Sequence, residues 1–498
     1  MSLKRNILAN YVGQIYVTLI GILFVPMYVK YMGAETYGLV GFYAMLQAWF
    51  QLLDMGLTPT MARETARFRG GAVDALSLRR LLRALEGVFI GIAVLGAFAM
   101  LMSSNFIASS WLKVQQLPLG EVQNAVQLMA IIIALRWICG LYRGAISGLE
   151  ELIWLNGFNI VIATIRSILI VPFLIYVGST PTHFFGYQVV VAVIEVAILV
   201  IQTYRLMPKT DVHQRLPWQW QPLRAVLKFA LSIAFVNVVW VLVTQTDKLI
   251  LSKLLVLSDY AYFTLAVLVA SGITIISTPI GGALLPRMIK LNAEGDEAGL
   301  IRLYRNATQM VAVIAIPVTL VLAFFSEQVL WAWTGDAQIA RKASQALMLY
   351  AIGNGILTLA GFPYALQFAK GDLKLHLIGN ALFVVIFIPL LIYAAGKFGM
   401  VGAGYAWVIA NLLPFLVWLP IVHMRFVKGL HSKWLLTDIC AIGFPATIVA
   451  AVMFGTVTWS NERISLVMEI ITAGLVLLIV AVSCSTWARV TMKQLWRN

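Results

Sequence analysis

Charge is what this 498-residue chain has least of. Only 11% of its residues are Asp, Glu, Lys or Arg, while 61% are apolar. A soluble domain carries about 25% charged residues, so a large soluble enzyme is excluded. Acids are scarcer than bases, 21 against 36. Cysteine is reduced to Cys139, Cys440 and Cys484, all inside apolar segments. They form neither a disulfide framework nor a metal-ligand spacing. A Walker-type phosphate loop is missing, which argues against direct ATP drive. The five histidines are scattered, without metal-site or nucleophile pattern. No catalytic residue, metal site or cofactor is therefore expected, and the chain does not read as an enzyme. Long polar loops are missing as well, so any function must sit within the membrane or on its inner face.

What is there is a succession of apolar runs. A membrane helix needs about 20 mostly apolar residues. By that rule about fourteen spans are expected, at 6–30, 36–61, 83–104, 121–147, 153–177, 182–204, 224–256, 259–285, 305–326, 342–369, 375–395, 400–424, 437–459 and 464–488. The runs are continuous rather than alternating, which disfavours a β-barrel. The start, MSLKRNILAN, leads into a run too long for a signal-peptide core, and reads as a retained first span. The expected fold is an all-α polytopic membrane protein.

The net charge of +15 would suggest nucleic acid in a soluble protein. Here it is largely topological. With the N-terminus inside, the inner loops hold about 26 Lys and Arg and the outer loops about 7. The richest inner stretches include ARETARFRGG and LSLRRLLR. A cytoplasmic N-terminus is expected, with membrane lipids rather than nucleic acid as the basic face's partner.

The chain also repeats itself. YVKYMGAETYGLV (28–40) parallels ILSKLLVLSDYAYF (250–263), LRRLLR (78–83) parallels LIRLYR (300–305), and VPFLIY (171–176) parallels IPLLIY (388–393). The unit is about six spans, an even number, so both copies enter from the same side, as parallel repeats do in some transporters. Expected domains are a six-helix lobe at 1–204, a cytoplasmic linker at 205–223, a second six-helix lobe at 224–424 and an additional helix pair at 437–489.

Polar residues within the spans are the candidate functional residues. Asn6, Asn10, Gln14 and Thr18 are four apart and share one helix face. Gln47, Gln51 and Asp54 precede a break at Gly56 and Pro59. Arg136 and Arg143 are seven apart; Asn156, Asn159 and Arg166 share a face; Asn237, Asp247 and Lys248 lie in the seventh span. Amides often serve only as glue between helices, at about 0.6 kcal/mol each, and Lys30, Lys253 and Arg143 can snorkel from helix ends. Arg136 and Arg166 lie too deep for that. Asp247 and Lys248 point about 100° apart on a helix and read as poor partners for each other. Glu195 reads either as a partner for Arg166 or as a protonation site. The stripes suggest a hydrated cavity between lobes. Its buried cations, Arg136, Arg166 and Lys248, point to an anion such as phosphate or diphosphate. Asn10, Gln14, Asn159 and Asn237 supply polar lining, and Asp54, Glu195 and Asp247 the acids. Amide and aromatic residues, Trp240 among them, would suit a sugar.

LLDMGLTPTMARETAR (52–67), following GAETYGLVGFYAML, resembles the polysaccharide transporter family, as does QTDKLILSKLLVLSDYAYFTLA (245–266). The likeness runs over about residues 4–424. This family contains the Wzx-type O-antigen and oligosaccharide flippases of the multidrug/oligosaccharidyl-lipid/polysaccharide exporter (MOP) superfamily. The resemblance implies two six-helix lobes with alternating access in a bacterial inner membrane. It implies an undecaprenyl-diphosphate-linked oligosaccharide as substrate, moved to the outer leaflet for surface polysaccharide assembly, with polysaccharide polymerase machinery as a further partner. It also implies cationic cavity residues for the diphosphate and coupling to H⁺ or Na⁺. Arg136, Arg166 and the Asp247–Lys248 pair fit those roles by position. Many O-antigen flippases have fewer spans than fourteen, and the extra pair resembles that of lipid II flippases in the same superfamily. Two other readings stand beside this one. A multidrug antiporter would need acids to dominate the cavity. A glycan polymerase or ligase would need a large outer loop.

Overall fold

Backbone polar groups in hydrocarbon must be satisfied within their own segment, so apolar runs of this length fold as helices. The computed structural model describes residues 3–208 and 220–495, and nearly all of these are helical. The chain divides into two compact units, Met1–Ala261 and Tyr262–Asn498.

In the first unit the helices are α1 (Leu3–Leu23), α2 (Val25–Phe50), α3 (Leu57–Arg69), α4 (Ala75–Phe106) and α5 (Leu119–Gly148). They continue with α6 (Leu152–Ser167), α7 (Ile170–Tyr176), α8 (Pro181–Leu206) and α9 (Gln221–Leu254). The short loop expected after residue 30 is Gly33 alone, whose φ of 80° interrupts α2, a conformation that glycine reaches without steric cost. Helix α5 is the unit's axis and packs against α3, α4 and α8, while α1 packs on α6. Gly140, Gly144 and Gly148 form a small-residue stripe on α5 facing α3. A Cβ at Gly144 would stand 2.6 Å from the Thr58 carbonyl oxygen, so only glycine allows this approach.

The second unit runs from α10 (Leu257–Ile275), which carries the division, through α11 (Ser277–Ala293), α12 (Glu297–Phe324), α13 (Ser326–Thr334), α14 (Ala337–Ala360) and α15 (Phe362–Lys370). Then come α16 (Lys374–Leu413), α17 (Leu419–Phe426), α18 (Leu430–Lys433), α19 (Ala441–Thr456), α20 (Arg463–Cys484) and α21 (Thr486–Leu495). The C-terminal pair α19–α20 is not a separate body: both helices pack on α12. Asp438, fully buried, holds it there. Arg305 donates to both its carboxylate oxygens, at 2.7 and 2.9 Å, and Gln309 Nε2 donates at 2.7 Å. Arg463 completes the attachment by donating to the carbonyls of Ala332 and Trp333.

Two differences from expectation stand out. Helix α9, which the repeat assigns to the second lobe, belongs to the first unit, because it packs on α2, α3 and α4. Of the expected linker, residues 209–219 lie outside the described residues. And ten described stretches, or eleven counting one bent pair, are long and apolar enough to cross a membrane, below the fourteen expected. One of the ten, Lys374–Phe426, has 53 residues and is interrupted at Gly399. At about 1.5 Å per residue that length is more than twice a hydrocarbon core of about 30 Å, so it holds two crossings. The protein is multi-pass.

Candidate functional site

The first unit encloses a polar cavity of about 440 Å³. Its walls come from three of the expected stripes. Helix α1 supplies Gln14 and Thr18, one turn apart; α6 supplies Asn156, Asn159 and Arg166; α5 and α8 supply Arg143 and Glu195. The packing of α1 on α6 brings the first two stripes face to face.

Glu195 is the electrostatic centre. It is 4% exposed. Arg143 donates to its Oε1 at 2.5 Å, and the Arg136 Nε lies 3.9 Å from its Oε2. Arg143 also donates to the Asn159 side-chain oxygen. Arg136 donates to the Tyr43 hydroxyl at 2.7 Å and to the Gln188 side-chain oxygen at 3.2 Å. Gln188 in turn donates to the Arg166 carbonyl at 3.2 Å. The Arg166 guanidinium has no hydrogen-bond or ion-pair partner among the described residues, and it lines the cavity. Two arginines thus share one carboxylate and a third, Arg166, stands beside them, a surplus of two positive charges. At an effective dielectric of about 20, one such charge attracts an anion 4 Å away by about 4 kcal/mol. Arginine is suited to this, since its planar fork matches phosphate oxygens.

A second cavity, of about 380 Å³, lies in the same unit. Gln47, Gln51, Asp54, Thr58, Trp137 and Trp240 line it, together with Arg136. Here α2 ends in a tight turn, Gln51–Asp54, and both Met55 (φ 46°) and Gly56 (φ 73°) are left-handed before α3 starts. Left-handed Met55 is strained backbone of the kind found at functional breaks. Asp54 stabilises the restart, accepting from the Thr58 amide at 3.1 Å and its hydroxyl at 2.6 Å. Arg136 joins the two cavities: it lines this one and faces Glu195 of the other.

The structure therefore gathers Arg166, Glu195, Gln14 and Asn159 around one cavity, with Asp54 and Arg136 lining the next. Asp247 and Lys248 lie in neither. The two do approach each other, Nζ to Oδ1 at 3.7 Å, and Lys248 Nζ also donates to the Thr244 carbonyl one turn back. Bending of the flexible lysine stem overcomes the 100° between their Cβ directions. The side chains of Asn10 and Asn237 lie outside the described residues. Arg143 does not snorkel; Glu195 holds it. Its seven-residue spacing from Arg136 puts both on one face of α5, and that spacing is the signal that could have assigned Glu195 to this pair rather than to Arg166. Nothing in the local sequence marked Tyr43, Gln188 or Trp137. In the second unit, the cavity walled by Leu284, Leu285, Phe362 and Tyr364 has no charged side chain among its described lining residues.

Comparison with known proteins agrees with this architecture. Residues 3–292 match the model of a family described as polysaccharide biosynthesis protein. The chain is 22% identical, over 442 residues, to a Shigella flexneri protein named "Putative O-antigen transporter", covering 89% of this chain and 99% of that one. Among solved structures it resembles the lipid II flippase MurJ in an inward closed conformation, with a TM-score of 0.71, 15% identity and coverage of 96% of this chain and 98% of that chain. It also resembles an inward-facing multidrug resistance MATE family transporter of the MOP superfamily, with a TM-score of 0.67, 15% identity and coverage of 84% and 96%. The fold is that of MOP superfamily transporters, and the chain belongs to the polysaccharide biosynthesis protein family.

Proposed function

We propose that this protein is a flippase for undecaprenyl-diphosphate-linked oligosaccharide repeat units. It would move them by alternating access from the cytoplasmic to the outer leaflet of the bacterial inner membrane, for surface polysaccharide of the O-antigen kind. One observation carries the reading: Arg143, Arg166 and Glu195 line one cavity formed by apolar helices, and Arg136 faces the same carboxylate from the cavity beside it. A diphosphate brings the negative charge that this arrangement lacks. The family match, the O-antigen transporter relative and the fold shared with a lipid II flippase support the same direction.

The physical need is plain. Burying one unbonded hydroxyl in hydrocarbon costs about 4–8 kcal/mol, and an oligosaccharide has many. A polar cavity removes most of that cost while the lipid tail stays in the bilayer. Arg166, unpaired among the described residues, would take the diphosphate first; Arg136 and Arg143 would share their charge between it and Glu195. Lys248, in neither cavity, is proposed as an auxiliary cation, and Asp54, Glu195 and Asp247 as the acids that couple transport to H⁺ or Na⁺. The basic inner loops support a cytoplasmic N-terminus, and polysaccharide polymerase machinery is the proposed downstream partner.

Deleting the gene and extracting lipid-linked glycans tests the proposal. Accumulated diphosphate-linked repeat units with lost surface polymer are expected. Unchanged glycans with new sensitivity to cationic dyes would instead favour drug extrusion, the reading that the surplus positive charge opposes.

A further inference from the structure

The second cavity of the first unit meets the arginine cluster, among the described residues, only through Arg136. We propose that it is a glycan subsite, seating the sugar nearest the diphosphate on Gln47, Gln51, Asp54, Trp137 and Trp240. This rests on the flippase reading above and adds a place for the sugar.

A sugar ring offers hydroxyls that both donate and accept, and flat C–H faces that pack on aromatic rings. The cavity answers each feature. Gln47 and Gln51 lie one turn apart, and neither side-chain amide has a hydrogen bond among the described residues. Each amide supplies two donors and an acceptor oxygen. Asp54 is held in place by Thr58 and, having more acceptor positions than those two bonds occupy, can accept from further hydroxyls. Trp240 is 58% exposed although it lines a cavity, so its indole face is available for stacking. Trp137 is 7% exposed and stacks on Phe89 with ring centroids 4.3 Å apart, which fixes its ring in the cavity wall.

Position argues as strongly as composition. Arg136 lines this cavity while its Nε lies 3.9 Å from Glu195 in the arginine cavity. A sugar bonded directly to a diphosphate needs two adjacent subsites of just these characters. The same arginine makes the cavity a poor one for a cationic drug, since Asp54 is the single carboxylate among its described lining residues and Arg136 offsets it.

The test is equilibrium binding to the full chain in nanodiscs. The probes are undecaprenyl diphosphate and the lipid-linked glycan fraction from host cells lacking the gene. Wild type is expected to bind the glycolipid about tenfold more tightly than undecaprenyl diphosphate, the worth of one or two neutral hydrogen bonds. Trp240→Ala and Gln51→Ala, both at exposed positions, should erase most of that preference. Their affinity for undecaprenyl diphosphate should stay within about twofold, whereas Arg166→Ala should weaken both probes equally. A preference that survives both substitutions, or is absent in wild type that binds undecaprenyl diphosphate, overturns the subsite alone. If the deletion strain accumulates no glycolipid and wild type ignores undecaprenyl diphosphate, the flippase reading fails and the subsite falls with it.

Discussion

Arg143 donates to Glu195 at 2.5 Å, one turn-pair along α5 from Arg136, whose Nε faces the same carboxylate at 3.9 Å. One acid therefore anchors two bases, and the third base of the cavity, Arg166, is left for a ligand. Stability and binding are assigned to different members of one cluster, which makes them separable by mutation.

Removing the acid should damage the fold. Glu195→Ala strands two arginines, one of them 8% exposed at its side chain. Breaking a buried pair by deleting one partner costs about 3–5 kcal/mol. The melting temperature of the purified protein in detergent should fall clearly, and less for Glu195→Gln, which keeps the shape and one acceptor. An unchanged melting temperature for Glu195→Ala would mean that the pair is not structural.

Removing Arg166 should do the opposite. Because its guanidinium has no hydrogen-bond or ion-pair partner among the described residues, Arg166→Ala should leave the melting temperature nearly unchanged. It should lower affinity for undecaprenyl diphosphate about 10- to 100-fold, the worth of one charge-assisted hydrogen bond of about 1.5–3 kcal/mol. Arg143→Ala, by contrast, should lower both stability and affinity. A melting-temperature loss as large for Arg166→Ala as for Arg143→Ala would contradict the division of roles.

The C-terminal helix pair should depend on Asp438. It is fully buried and takes three hydrogen bonds from Arg305 and Gln309. Asp438→Ala leaves Arg305 without its carboxylate, and about 3 kcal/mol or more should be lost. Limited proteolysis should then cut between residues 427 and 463 faster than in wild type. Unchanged cleavage would show that apolar packing on α12 alone holds the pair.

Close helix approach should make one glycine irreplaceable and another dispensable. Gly144→Ala puts a Cβ 2.6 Å from the Thr58 carbonyl, and overpacking of this kind costs about 1–3 kcal/mol. It would also push apart α3 and α5, which wall the second cavity. Gly157, with open space around its Cβ position, should accept alanine and gain up to about 1 kcal/mol from helix propensity. Thermal melts of the two variants check the contrast.

Much of this could be read from the sequence, and the reason is the period of the helix. Gln14 and Thr18, Asn156 and Asn159, and Arg166 stand at spacings that put them on shared faces, and a polar face in hydrocarbon must meet something polar. The all-helical fold followed from hydropathy alone. The partner of each charge did not, because pairing depends on which helices touch. Glu195 could serve Arg166 or another base until α5 and α8 were seen side by side. Lys248 illustrates the same limit. Its place in a span suggested cavity lining, whereas the folded chain turns its ammonium back to Thr244 and Asp247. The unit boundary after Ala261 was hidden for a related reason. A repeat in the sequence marks where a copy begins, and α9 packs with the unit before it.

The most direct test is transport itself. Purified protein is reconstituted in liposomes carrying a fluorescent undecaprenyl-diphosphate-linked oligosaccharide, and the label exposed on the opposite leaflet is quenched over time. Wild type should move the lipid, and Arg166→Ala, equally folded by its melting temperature, should slow that movement at least about tenfold. Movement at the wild-type rate by Arg166→Ala would contradict the arginine cavity as the diphosphate site.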